Sequence, residues 1–66
     1  QREDKVLRCL PATPLPLADL VLTVYDDVAP WLHGIAKYSL LAHLIKLAED
    51  GRATESAEGW QTVQVN

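Results

Sequence analysis

Apolar residues recur at helical spacing along the first fifty positions, and the pattern breaks at a few marked points. Val6 and Leu7 lie four and three residues before Leu10, which predicts a short helix over residues 1–10 with Glu3 and Asp4 near its positive end. Pro11 stops it. The run Pro11-Ala12-Thr13-Pro14-Leu15-Pro16 holds three of the four prolines, so it is expected to be extended, with a short edge strand at most. Pro16 is expected to open a second helix, because a first helical turn tolerates a missing N–H. Leu17, Leu20, Val21 and Val24 then follow the i, i+3, i+4, i+7 pattern of a buried face, which Leu22 and Tyr25 widen. Asp26-Asp27 ends it.

The residues from Pro30 to Gly34 read as one irregular turn, since Gly34 interrupts the helical pattern. A long helix is expected from Ile35 to Asp50, with Gly51 as its left-handed stop. At 100° per residue its apolar side chains cover an arc of roughly 200°. Ala36, Leu40 and Leu47 form one flank, Leu41, Leu44 and Ala48 the centre, and Tyr38 and Ile45 the other flank. A surface helix needs an arc of only about 100° or somewhat more. The excess leaves two expectations: a second contact, to another domain or subunit, through Tyr25, Trp31, Tyr38, Leu41, His43 and Ile45, or a small domain that wraps this helix with its own helices and sheet. The opposite face carries Ser39, His43, Lys46 and Asp50.

Beyond Gly51, Arg52–Glu55 and Trp60–Val65 read as two strands joined by the turn Ser56-Ala57-Glu58-Gly59. Trp60, Thr62 and Gln64 share one face of the second strand; Gln61, Val63 and Val65 share the other. The expected fold class is therefore mainly α with a small β-wing. Three helices and a two- or three-stranded antiparallel sheet, in this order, are those of a winged helix.

Composition narrows the function. Sixty-six residues make one domain at most, and a chain this short buries only about 60% of its unfolded surface. The expectation is a single winged-helix domain over residues 1–66 that leans on a neighbour. It lacks an initiator methionine, and indeed any methionine, so it is expected to be a piece of something longer. With 48% apolar and 23% charged residues the composition is that of an ordinary globular domain. The net charge of −3 opposes binding to a polyanion. Lys37, Lys46 and Arg52 are the candidate nucleic-acid contacts, because they lie on or just past the long helix. No run reaches the roughly 18 apolar residues of a membrane span, so no membrane partner is expected. Cys9 is the lone cysteine, which excludes an internal disulfide and fits a reducing, cytoplasmic compartment.

Catalytic motifs are missing. His33 and His43 stand ten residues apart across a glycine and share no metal-binding spacing. Ser39 and His43 are one helical turn apart, without an orienting acid or an oxyanion donor. The three glycines are isolated, so no phosphate loop forms. No enzyme activity and no cofactor are expected of this chain alone.

Leu17, Leu20, Val24-Tyr25, Leu32-His33, Ala36, Leu40-Leu41, His43-Leu44, Lys46-Leu47 and Gly51-Arg52 together resemble the β-lactamase-associated winged-helix domain. The most specific part is Ala36-x-x-x-Leu40-Leu41-x-His43-Leu44-x-Lys46-Leu47 ahead of Glu49-Asp50-Gly51. Trp60 sits where that family commonly places an aromatic. Pro16 and Asp19 depart from it, standing where a Ser/Thr cap and a Glu are usual.

The resemblance implies a parent hydrolase with an upstream metallo-β-lactamase-fold domain holding one or two zinc ions. Such parents include endoribonucleases of the β-lactamase-like protein 2 type, glyoxalase-II-like hydrolases and thioesterases acting on acyl carriers. It further implies that this domain packs on the catalytic one and shapes substrate access. The alternatives are a transcription-regulator-like module that binds nucleic acid and a module that forms homodimers.

Overall fold

The computed structural model describes residues 2–63, so the parts of the expected elements that fall on Gln1, Gln64 and Val65 lie outside the described residues. The first helix, α1 (Arg2–Cys9), turns Val6 fully inward and is followed by buried Leu10, whose N–H still reaches the Val6 carbonyl at 3.0 Å. Pro11 has no N–H with which to continue the ladder, and the chain leaves the helix there.

The proline-rich segment that follows is zipped onto the sheet. Thr62 N–H donates to the Pro11 carbonyl, Gln61 Nε2 to the Ala12 carbonyl, and Leu15 exchanges two 2.9 Å bonds with Trp60. The expected edge strand is thus a single bridge at Leu15. Helix α2 (Leu17–Val24) starts just after Pro16, whose carbonyl accepts the N–H groups of Asp19 and Leu20. No side chain caps this helix. Leu20, Val21 and Val24 are buried in it, as the spacing predicts. Leu22 is a correction: expected to widen the buried face, it is 57% exposed, because a step of two from Leu20 points away from the core.

Pro30–Leu32 form one 3₁₀ turn that runs straight into α3 (His33–Glu49). The long helix therefore begins two residues before the expected Ile35 and passes through Gly34. A glycine in a first turn lowers helix stability without breaking the helix. Gly51 ends α3 as expected: at φ +75° it lets its own N–H reach the Ala48 carbonyl and lets Arg52 N–H reach Leu47, the two bonds of a Schellman cap.

The wing consists of β1 (Ala53–Ser56) and β2 (Gly59–Thr62), paired antiparallel from Ala53↔Thr62 to Ser56↔Gly59. Only Ala57 and Glu58 separate them, so the turn is tighter than the four residues the sequence suggests. The three α-helices and the wing feed one core: Val6 and Leu10; Leu20, Val21, Val24 and Tyr25; Ala36, Leu40, Leu44 and Leu47; Ala53 and Trp60. Within α3 the core face is Ala36-Leu40-Leu44-Leu47. Ala48, expected near the centre of the apolar arc, is exposed, and Leu41 is only half-buried.

Candidate functional site

Helix α3 has a second apolar face, turned away from the first. Trp31, Ile35, Tyr38 and Ile45 are 81, 70, 78 and 48% exposed, and exposed Ala42 lies in line with them. At 100° per residue this stripe is centred about 180° from the core face. Scattered exposed hydrophobes are ordinary, but a contiguous stripe of large ones marks an interaction surface. The sequence singles out Trp31, Tyr38 and Ile45 for such contact. It misses Ile35 and Ala42, which counting in steps of four and three across Gly34 would have found.

Beside the stripe, Leu17, Gly34, Lys37, Tyr38 and Leu41 line a shallow groove of about 290 Å³. Leu17 and Leu41 also floor a second hollow of about 380 Å³ that reaches the wing at Glu55 and Glu58. Leu41 therefore links the outer face of α3 to the wing.

Three other sequence-derived site residues are engaged within the chain. Tyr25 is 6% exposed and belongs to the core, not to a surface that a partner could reach. Arg2 lies 4.6 Å over its ring, donates to the Val24 carbonyl at 2.9 Å and pairs with Asp27 at 3.1 Å. His43 is half-buried on the polar flank, its Nδ1 3.6 Å from Glu3 of α1, which also takes Lys46 at 3.4 Å. Lys37 and Lys46 stand nine residues apart, on opposite sides of the helix at about 180°. Arg52 lies beyond its end, so the candidate nucleic-acid contacts do not gather on one face.

His33 is a correction. Read as a loop residue, it opens α3, and its Nε2 lies 3.1 Å from the carbonyls of both Tyr25 and Val28. Both partners are acceptors, so Nε2 carries the proton and donates to each, clasping the loop between α2 and α3. Among the described residues no three His, Cys, Asp or Glu side chains gather as a metal site. No helix among them is long and apolar enough to cross a membrane.

The ion pairs that hold α1 make a pH dependence measurable. The Arg2 guanidinium, chiefly by its hydrogen bond, holds the Asp27 carboxyl below its ordinary value of 3.8, and Arg2 is itself raised. A carboxylate lowered in this way stabilises the fold above its ordinary value and ceases to do so as pH falls through the lowered one. Thermal unfolding of the native chain should therefore lose this contribution only below 3.8. Asp27→Asn should unfold at a lower temperature near neutral pH and converge with the native chain in acid.

A second measurement tests Tyr25, whose buried hydroxyl has no hydrogen-bond partner among the described residues. An unsatisfied buried hydroxyl costs about 1–3 kcal/mol, so Tyr25→Phe is expected to raise stability by about 1 kcal/mol in urea denaturation. A loss of stability would mean that the hydroxyl is satisfied.

Three helices, a two-stranded wing and a bridge from the α1–α2 connector to β2 define a winged-helix domain. Residues 17–60 match the family described as Beta-lactamase associated winged helix domain, and the chain belongs to that family. It is thus a winged-helix domain of the kind associated with β-lactamase-fold proteins. No curated protein and no solved structure matches the chain.

Proposed function

We propose that this chain is the accessory, C-terminal domain of a metal-dependent hydrolase, docked through the outer face of α3 onto a metallo-β-lactamase-fold domain and forming one wall of its substrate entrance. The observation that carries this reading is the exposed stripe of Ile35, Tyr38 and Ile45, set back to back with the core face of the same helix and extended by Trp31 of the preceding 3₁₀ turn. A helix apolar on both sides gains little from solvent on the outer one, and a partner domain removes that exposure. Family membership supports a β-lactamase-fold domain as the partner. Zinc and bond cleavage belong to that domain in this reading. The histidines here do not fit a metal: His33 is spent on two carbonyls and His43 faces Glu3.

The test is co-sedimentation of this chain with the β-lactamase-fold domain of the same protein, produced separately. The native chain should bind and Tyr38→Glu should not. A chain that sediments as a dimer dissociated by Tyr38→Glu would favour the homodimer alternative instead. Salt-dependent retention of DNA or RNA, lost in Lys37→Ala or Arg52→Ala, would favour the nucleic-acid one. Absence of all three interactions would overturn the docking role.

A further inference from the structure

We draw no further inference here: the strongest candidate, the apolar outer face of α3 with the shallow groove over Leu17 and Leu41 beside it, belongs to the docking surface already described, and nothing in the structure shows what covers it.

Discussion

Replacing Gly59 with alanine is expected to detach the wing. Gly59 adopts φ +135°, which side-chain-bearing residues rarely reach. A Cβ built there would lie 2.3 Å from both the carbonyl carbon and oxygen of Leu15, and 2.7 Å from the nitrogen of Pro16. These are backbone atoms, so no rotamer change relieves the clash. Either β2 withdraws or the Leu15–Pro16 peptide does, and in both cases the pair of 2.9 Å bonds between Leu15 and Trp60 breaks. Withdrawal also uncovers Trp60, now only 4% exposed. Strain, two lost hydrogen bonds and a partly uncovered indole sum to about 3 kcal/mol or more. Urea denaturation followed by circular dichroism should show the loss. A change under about 1 kcal/mol would mean that β2 does not lie against the connector in this way.

The second large effect is expected at Leu44, fully buried on the core face of α3. Leu→Ala at such a site costs about 2–5 kcal/mol, from lost transfer energy plus the cavity left behind. A domain of this size rarely has more than about 3–5 kcal/mol in total. Leu44→Ala should therefore leave the chain largely unfolded at room temperature. The adjacent Ile45→Ala, on the outer face, should change stability by no more than about 0.5 kcal/mol. Equal effects at the two positions would contradict the assignment of core and outer faces.

That pair also marks where the sequence stops being informative. Periodicity locates all three helices, the Gly51 stop and the wing, because each rests on local spacing or on a residue with one conformational use. It cannot decide which side of α3 faces inward. Apolar residues stand on both sides, and burial is settled by α1, α2 and the sheet, elements distant in sequence. Ala48 and Leu41 were thus expected near the centre, where the structure buries Leu40 and Leu47 instead. The same distance hides Arg2, whose partner Asp27 is 25 positions away. It hides the turning of His33 back onto its own loop. Tyr25 has the composition of a contact residue, but its place under Arg2 makes it core. The candidate docking face was legible in Trp31, Tyr38 and Ile45. Ile35 and Ala42 were not, because both lie within the expected helix but outside the flanks and centre that the sequence assigns to its apolar arc.

The two tryptophans occupy opposite environments, Trp31 at 81% exposure and Trp60 at 4%. The chain therefore carries two separable optical reporters without any label. Trp31 should emit at long wavelength and be quenched readily by iodide, whereas Trp60 should emit at short wavelength and resist quenching. Occupation of the outer face of α3 should silence the first signal and leave the second unchanged. Opening of the wing should do the reverse, so docking and folding can be followed separately in one sample.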